Sequence, residues 1–469
     1  MKPTFSRRRF VKTGVLSSVA WGAGITRTAE AGNRPASVPA AEADPFRIAV
    51  FDMDATPPIG SQLTYGPMIN SWDLSLRARG IVLAGAGKPI VLCAIDWIGI
   101  ANESLAVFKG ALAAAADTTP ERVTVHTLHQ HDAPICDFEA ERVMQQLGVS
   151  PHCFESYFAR TFLDKLARRV KESLGHMQPV THIGVGKAPV YQVASNRRIV
   201  KNGRVGEMRA TACKNAALRA EPEGLIDPDV TLLSFWNKQA PIAVLTFYAT
   251  HPQSYYLTGI ANPDFPGMAR SFRQMAVPDA LHVHFNGAGG NIGAGKYNDG
   301  AHENRLILAQ RLADGMERAW NARRLFPVSG ADLTWNVVPV HLPVSESFVK
   351  EVESRFKSPT GPYFYANNVS QVIWAKKQMA GATTDIACLG VGQARVLFMF
   401  GELFVEYQLA AKALRPDLAV SMAAYGEYGP LYIGTGEAYG QGGYEIGASP
   451  VTAEAESVLM AAMTQLLKG

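Results

Sequence analysis

The segment Val123-Thr-Val-His-Thr-Leu-His-Gln-His-Asp-Ala-Pro134 shows how this chain is organised. Its first six residues form an apolar, β-branched run that is typical of a buried strand, and His129 and His131 follow where that run ends. Three other apolar runs are also followed by polar residues. Residues 242–248 precede His251, residues 281–285 precede Asn286, and residues 396–400 precede Gly401-Glu402. Because ligands and catalytic groups in open α/β sheets gather beyond the carboxyl ends of strands, we expect these ends to meet in one cleft.

Predicted strands and helices alternate along the chain from residue 46 onward. The strands are predicted at residues 47–51, 89–95, 123–128, 230–235, 242–248, 281–285, 396–400 and 418–423. The helices are predicted at residues 102–117, 154–174, 303–320, 348–356, 402–414 and 452–467. This alternation favours an α/β fold with mixed, mostly buried sheets flanked by helices and a metal site at the carboxyl ends of strands. Residues 46–469 are long enough for two packed lobes, although the sequence marks no boundary between them.

The first 31 residues have the features of a twin-arginine export signal. The stretch Ser6-Arg-Arg-Arg-Phe-Val-Lys12 fits its pattern, a short apolar run follows at about residues 14–25, and Ala29-Glu-Ala31 is a small-residue cleavage site. That apolar run is short for a membrane span. We therefore expect a signal peptide over residues 1–31, a disordered lead-in over residues 32–45, no transmembrane segment in the mature chain, and a periplasmic or extracellular location.

Charge argues against a nucleic-acid partner. The chain has 45 basic and 41 acidic side chains, and six of the basic and one of the acidic ones lie in the predicted signal. The mature chain is thus nearly neutral and lacks a basic footprint, so we expect a small-molecule, lipid-like or sugar substrate. The five cysteines show no zinc-ribbon spacing, although Cys136 and Cys153 are candidates for a disulfide after export. The composition sets no oligomeric state.

Histidines and a carboxylate at the strand ends predict a metal site. His129 and His131 alternate on a predicted extended segment, so their side chains point the same way, and His251 follows a second strand in a similar position. Two imidazoles and the carboxylate of Glu402 suit a zinc ion with an open coordination position, and Asp132 is a candidate for fixing an imidazole tautomer. The alternatives are a hydrogen-bonded polar histidine pair and, for Glu402, a carboxylate favoured by the helix dipole.

Two loops carry unusual compositions. The stretch from Tyr425 to Glu445 combines glycines and glutamates with five tyrosines, whose amphipathic rings are typical of binding clefts. The stretch Asn286-Gly-Ala-Gly-Gly-Asn-Ile-Gly-Ala-Gly295 matches neither the dinucleotide fingerprint nor the P-loop. We expect the first loop to line the cleft and the second to bring backbone amides close to a substrate or an oxyanion.

Taken together, these residues resemble the catalytic domain of the neutral/alkaline, non-lysosomal ceramidases. The segments that carry the resemblance, in chain order, are Asp54-Ala-Thr-Pro-Pro-Ile-Gly60, Leu128-His-Gln-His-Asp-Ala-Pro134, Tyr248-Ala-Thr-His251, Gly401-Glu402, Tyr432-Ile-Gly-Thr-Gly-Glu-Ala-Tyr439 and Tyr444-Glu445. Each motif is modest by itself, but their shared order is specific. The resemblance implies a ceramidase-like catalytic domain over residues 46–469.

The resemblance also implies a zinc ion and a set of site residues. The implied zinc ligands are His129, His251, Glu402 and Tyr432. The implied catalytic residues are His131, Tyr444 and Arg197, the last within an Asn-Arg pair similar to one in the family. The chain departs from the family at Gly290-Asn-Ile-Gly-Ala-Gly295, where a family serine is missing, and we expect no counterpart of the β-rich C-terminal domain of full-length ceramidases.

The sequence therefore predicts an exported zinc-dependent hydrolase that cleaves an amide (N-acyl) bond with zinc-activated water. One alternative keeps the metal but changes the substrate, giving an esterase or a carbohydrate-active enzyme that works by hydrolysis or elimination. Another is a non-catalytic exported binding protein on the same scaffold. The wall of the cleft discriminates between the substrates, because an acyl chain needs a deep apolar groove.

Overall fold

The computed structural model describes residues 45–148, 156–356 and 362–468, and three sheets organise them. In spatial order, the N-terminal sheet contains Val123–Thr127, Ile90–Ile95, Arg77–Ala84, Arg47–Asp54 and Gln178–Pro179. The central sheet contains Leu281–Asn286, Ala240–Tyr248, Asp229–Asn237, His182–Pro189 and Arg324–Pro327. The C-terminal sheet contains Leu333–Val340, Thr384–Val391, Ala394–Phe398 and Ala419–Ala423.

Segments outside the three sheets pair with one another as short two-stranded ladders. The pairs are Gln62–Leu63 with Gly66–Pro67, Gly99–Ile100 with Ile135–Cys136, Ser195–Asn196 with Ile292–Gly293, Arg198–Lys201 with Arg204–Met208, and Glu402–Leu403 with Tyr432–Ile433. Two of these pairs join segments that hold predicted site residues, since one contains Glu402 and Tyr432 and another lies directly before Arg197.

Helices cover the outer face of each sheet. They are Asn102–Ala115, Phe138–Gln146, Ser156–Leu174, Ala216–Ala220, Asp264–Ala276, Glu303–Asn321, Glu346–Arg355, Pro362–Met379, Val405–Leu414, Gly436–Gln441, Tyr444–Gly447 and Ala455–Lys468, with 3₁₀ turns at Pro120–Arg122 and Gly330–Asp332. The first and third of these helices pack on the N-terminal sheet, the fifth and sixth on the central sheet, and Ala455–Lys468 on the C-terminal sheet.

The inner faces of the three sheets meet in one shared apolar core. Each described sheet has a parallel strand pair at one edge, and the other pairings are antiparallel. These edges meet where the rings of His126, Phe285 and Phe398, one from each sheet, lie 5.4 to 6.0 Å apart between centroids. With both faces buried, a strand such as Ile90–Ile95 is apolar throughout, as the sequence shows. We call this meeting point the three-sheet junction.

The predicted α/β class is confirmed, but several elements fall outside the predicted set. These are the strands Arg77–Ala84, His182–Pro189, Leu333–Val340 and Thr384–Val391 and the helices Phe138–Gln146, Asp264–Ala276 and Pro362–Met379. The helix predicted to begin at Glu402 begins at Val405 instead. Its start is displaced because the Glu402 amide donates to Leu431 O at 2.6 Å, which places Glu402 in a short parallel strand pair with Tyr432.

Several sequence predictions stay predictions. The signal peptide lies outside the described residues, and so do all but the last position of the lead-in and Cys153 of the candidate disulfide. The described residues do not test the division into lobes. Among the helices of the described ranges, none combines the length and the apolar composition needed to cross a bilayer.

A buried carboxyl group makes the stability of this fold depend on pH. Glu427 accepts hydrogen bonds from the backbone N–H groups of Asn102, at the start of helix Asn102–Ala115, and Gly429, at 2.9 and 2.8 Å. Burial raises the pKa of Glu427 from 4.5 to about 7, despite these bonds. The native state therefore binds more protons than the unfolded state between those values, and its stability falls as the pH rises from 4.5 to about 7.

We expect Glu427→Gln to abolish this dependence. Glutamine keeps an acceptor oxygen and carries no charge, so the variant should gain stability relative to the parent across that pH range. The relative gain should be on the order of 3 kcal/mol, because one pKa unit corresponds to about 1.4 kcal/mol. Urea unfolding of both proteins across the range measures it. A stability difference that does not change with pH would contradict the assignment.

Candidate metal centre

Three of the predicted site residues each come shortly after a strand, and the three strands belong to three different sheets. His129 comes after Val123–Thr127, His251 after Ala240–Tyr248 and Glu402 after Ala394–Phe398, and each strand belongs to the parallel pair of its sheet. Because the three edges meet at the junction, these three side chains lie together although the sheets are far apart in sequence. The side chains of all three residues are almost completely buried.

His129 and His131 approach each other through a turn rather than along an extended strand. His129 has a φ of 62°, in the left-handed region, and its amide donates to Trp97 O at 2.9 Å. Non-glycine residues held in this region cluster at functional sites. The two rings lie 5.0 Å apart between centroids at an angle of 76°. The prediction that His129 and His131 alternate on an extended segment is therefore wrong, although the two imidazoles do lie in one site.

Ring nitrogens of three histidines converge. One nitrogen from each of His129, His131 and His251 lies within 4.8 Å of the other two, and all three residues are buried. The Glu402 carboxylate lies against two of them, with its Oε2 at 3.5 Å from His129 Nε2 and 3.2 Å from His251 Nε2. Imidazole nitrogens and a carboxylate oxygen in one buried cluster are donors of the kind that zinc prefers.

Backbone carbonyls set the tautomers of two of these imidazoles. The Nδ1 of His129 donates to Ile98 O at 2.8 Å, and the Nδ1 of His251 donates to Gly289 O at 2.9 Å. Since a carbonyl oxygen only accepts, each Nδ1 must carry the proton, which leaves a lone pair on Nε2 of the neutral ring. Both lone pairs then face the Glu402 carboxylate, whose Oε2 is buried with no hydrogen-bond donor among the described residues.

Protonation within the cluster favours the same state. Burial and then the charge of Arg197 lower the pKa of His251, and burial and the neighbouring histidines lower the pKa of His131 well below its ordinary value. Burial alone would raise the pKa of Glu402, but positive charge at His129 and His251 outweighs it and holds that pKa well below its usual range. When both rings are neutral and direct their Nε2 lone pairs at the carboxylate, that positive charge has to come from another species. A bound cation satisfies this arrangement, so these residues fit a divalent metal ion.

Tyr432 and Arg197 border the cluster. The Tyr432 ring packs on the His251 ring at 6.2 Å between centroids, and Arg197 Nη2 lies 3.4 Å from the Tyr432 hydroxyl. Glu445, which is fully buried, holds Arg197 and Arg198 at 3.1 and 3.2 Å. The structure therefore brings the predicted Tyr432 and Arg197 to the cluster, with Glu445 keeping the guanidinium groups in place.

Tyrosines form the outer part of the site. Tyr444 is 58 % exposed, and its ring lies 5.7 Å from that of Tyr432, so it stands at the rim rather than against the histidines. The Tyr425 ring stacks on His129 at 4.7 Å. Tyr65 and Tyr256 contact the His131 ring and were not predicted as site residues. Their signal in the sequence is faint, although Tyr256 follows His251 closely.

Two predicted roles are wrong in detail. Asp132 does not orient an imidazole, because its carboxylate accepts from the Leu257 amide at 3.0 Å and the Thr258 hydroxyl at 2.7 Å and so holds the loop that includes Tyr256. The glycine-rich loop 286–295 is buried, and the amides of Gly287 and Gly290 donate to backbone carbonyls. Its glycines let the loop pack closely against the strand ends rather than exposing these amides to a substrate.

Gly290→Ala should disturb the centre without removing the side chain of any ligand. A Cβ at this position would lie 2.2 Å from the Glu402 carbonyl oxygen, so Glu402 has to shift. Overpacking of this kind costs about 1–3 kcal/mol. We expect a lower zinc affinity and a lower unfolding midpoint, measured by metal titration and by thermal unfolding. Gly440→Ala is the matched control, because a Cβ there meets nothing within 4 Å. Equal zinc affinities for the two variants would contradict the close packing.

Comparisons with known proteins agree with this architecture. No protein-family model matches the chain, and no curated protein sequence matches it. Among solved structures, the crystal structure of neutral ceramidase from Pseudomonas aeruginosa is similar, with a TM-score of 0.64 and 15% identity over 90% of this chain and 75% of that one. A structure described as ceramidase complexed with C2 gives the same values. The resemblance seen in the sequence motifs is therefore confirmed for the fold.

Proposed function

We propose, starting from a ceramidase-like fold with three clustered histidines and a carboxylate, that this chain is a zinc-dependent hydrolase of amide (N-acyl) bonds. One observation carries the proposal. The Oε2 of Glu402 is buried without a donor, and it faces two imidazole Nε2 atoms whose Nδ1 protons are held by backbone carbonyls. These three atoms would bind a cation, and the neighbouring residues would bind the substrate and transfer protons.

His129, His251 and Glu402 would hold the ion, with Tyr432 beside His251 as the fourth ligand taken from the resemblance. When bound, zinc polarises a carbonyl and lowers the pKa of water towards neutrality. The reaction adds a water oxygen to the amide carbonyl carbon and breaks the C–N bond. The products are a carboxylic acid and an amine that receives the proton.

His131 is placed to move that proton. Its Nδ1 is buried and has no hydrogen-bond partner among the described residues, so this nitrogen is free to exchange a proton with a bound substrate. Arg197 places a positive charge at the edge of the cluster, 3.4 Å from the Tyr432 hydroxyl, where it would stabilise negative charge on the carbonyl oxygen. Tyr444, at the rim, would contact the substrate.

Export belongs to the proposal as well. The twin-arginine pattern Ser6-Arg-Arg-Arg-Phe-Val-Lys12 supports transport of the folded protein to the periplasm or beyond. A buried site assembled from three sheets is suited to that route, because the metal can be loaded before transport.

Removing and restoring the metal tests the proposal. The chelated protein should release no amine from an N-acyl amide and should melt at a lower temperature than the protein with zinc, because a ligand that binds only the folded state stabilises it. Adding zinc should restore both properties. Amine release that is unchanged after complete chelation would exclude a metal-dependent mechanism. Zinc binding without hydrolysis of amides or esters would favour the binding-protein alternative.

A further inference from the structure

A cavity of about 520 Å³ lies beside the histidine cluster. Tyr65 and Tyr256 form part of its wall and also contact the His131 ring, at centroid distances of 5.8 and 5.4 Å. Tyr444 lies on the same wall and contacts Tyr432. A molecule in this cavity therefore lies next to the residues that would act on the scissile bond. The volume is within the range of small-ligand pockets.

The wall of this cavity is rich in hydrogen-bonding side chains. The polar residues besides the tyrosines are Glu351 and Arg355 from helix Glu346–Arg355 and Asn367, Asn368 and Gln371 from helix Pro362–Met379. Glu351 and Arg355 form an ion pair one helical turn apart. The Asn367 Oδ1 atom is buried without a hydrogen-bond partner among the described residues. The Gln371 side chain already donates to Ala448 O at 2.7 Å, so Asn367 Oδ1 is the acceptor that a ligand can satisfy, beside three phenols and the apolar side chains of Phe348, Val352 and Leu431.

An alkyl chain fits this wall poorly. It would leave Asn367 Oδ1 without a donor, and a buried polar group left unpaired costs about 1–3 kcal/mol. A sugar ring suits the same wall. One of its hydroxyls can donate to Asn367 Oδ1, while its C–H faces pack on tyrosine rings, which offer apolar area with a polar tip.

We propose that the substrate is an N-acylated amino sugar, with its ring in this cavity and its amide at the histidine cluster. The amide part rests on the proposed function, whereas the sugar part rests on the cavity alone.

Two probes that share an acetamide group test the sugar part. The zinc-loaded protein is titrated calorimetrically with the disaccharide of N-acetylglucosamine and with N-octylacetamide. We expect the disaccharide to bind at least about tenfold more tightly, a difference that corresponds to about 1.4 kcal/mol. Tighter binding of N-octylacetamide would overturn the proposal. This comparison uses the unmodified protein and so does not depend on the folding of a variant.

Asn367→Leu localises the effect to the cavity. Leucine has a similar size and cannot form hydrogen bonds, so the variant should lose most of the preference for the disaccharide. Asn321→Leu, at an exposed position at the end of helix Glu303–Asn321, is the control and should keep the preference. Equal preferences in both variants would overturn the assignment of the sugar to this cavity.

Release of free amine from each probe separates this inference from the proposed function. Release from the disaccharide supports both. Binding of the disaccharide without any amine release keeps the cavity assignment and overturns amide hydrolysis. Release from N-octylacetamide alone overturns the sugar substrate and supports amide hydrolysis.

Discussion

Replacing His251 with alanine should remove the bound zinc and lower amide hydrolysis by more than about a hundredfold. Loss of a residue that only orients a metal ligand already costs about 10- to 100-fold, and His251 Nε2 faces the site directly, 3.2 Å from the Glu402 carboxylate. The variant also leaves that buried carboxylate with one imidazole fewer. Zinc content by mass spectrometry and amine release from an N-acyl amide, measured on the same preparation, give the two results.

His341→Ala is the control for this prediction. His341 is exposed and donates from Nδ1 to Ala382 O at 3.1 Å, away from the cluster. It should keep its zinc and its activity. Activity that survives in His251→Ala would exclude the centre described above, and zinc that survives while activity is lost would give His251 a role other than a ligand.

Arg270→Met should be among the most destabilising single changes in the described part of the chain. Arg270 donates to both oxygens of Asp96 at 2.7 and 2.6 Å, and both residues are almost completely buried. Removing one partner of a buried pair leaves an uncompensated charge and costs about 3–5 kcal/mol. The Gln130 side chain donates to the backbone carbonyl of Asp96, so the loss also reaches the loop that carries His129. Urea unfolding and zinc titration measure the two effects.

A second substitution separates charge from packing. Asp96→Asn keeps the acceptor for the Arg77 amide, which Asp96 binds at 2.9 Å, but removes the charge. The double variant Asp96→Asn/Arg270→Met should therefore be more stable than Arg270→Met alone. Equal stability of the two would mean that the cost comes from lost packing rather than from the unpaired carboxylate.

The sequence predicted three residues of the site because each of them belongs to a local pattern. His129, His251 and Glu402 all stand directly after an apolar run, and a strand that is buried on both faces is visible without knowledge of its neighbours. Arg197 had no such pattern and entered only through the resemblance, and Tyr432 was one of five tyrosines in a loop predicted to line the cleft until the resemblance gave it the role of a ligand. The carbonyls of Ile98 and Gly289, which fix the imidazole tautomers, have no side-chain signal at all.

Strands escaped prediction where glycine and proline serve packing between elements. In His182–Pro189, Gly184 and Gly186 weaken the strand signal, yet a Cβ at Gly186 would lie 2.1 Å from the Ala319 carbonyl of the covering helix. Leu333–Val340 contains Pro339, which is tolerated because this strand lies at the edge of its sheet. The close contact at Gly186 and the edge position of Pro339 both depend on the assembled sheets, which the local sequence does not show.

The three-sheet junction would make metal binding a late event in the folding of the chain. His129 and Glu402 are more than 270 residues apart, so no fragment that contains one sheet holds a complete ligand set. Contacts between such distant residues form slowly, because long loops must close first. An ion bound there bridges all three sheets at once and hinders any one of them from detaching. The rate of zinc release should therefore report the rate at which the sheets separate. A bound metal would then slow the unfolding of all three sheets.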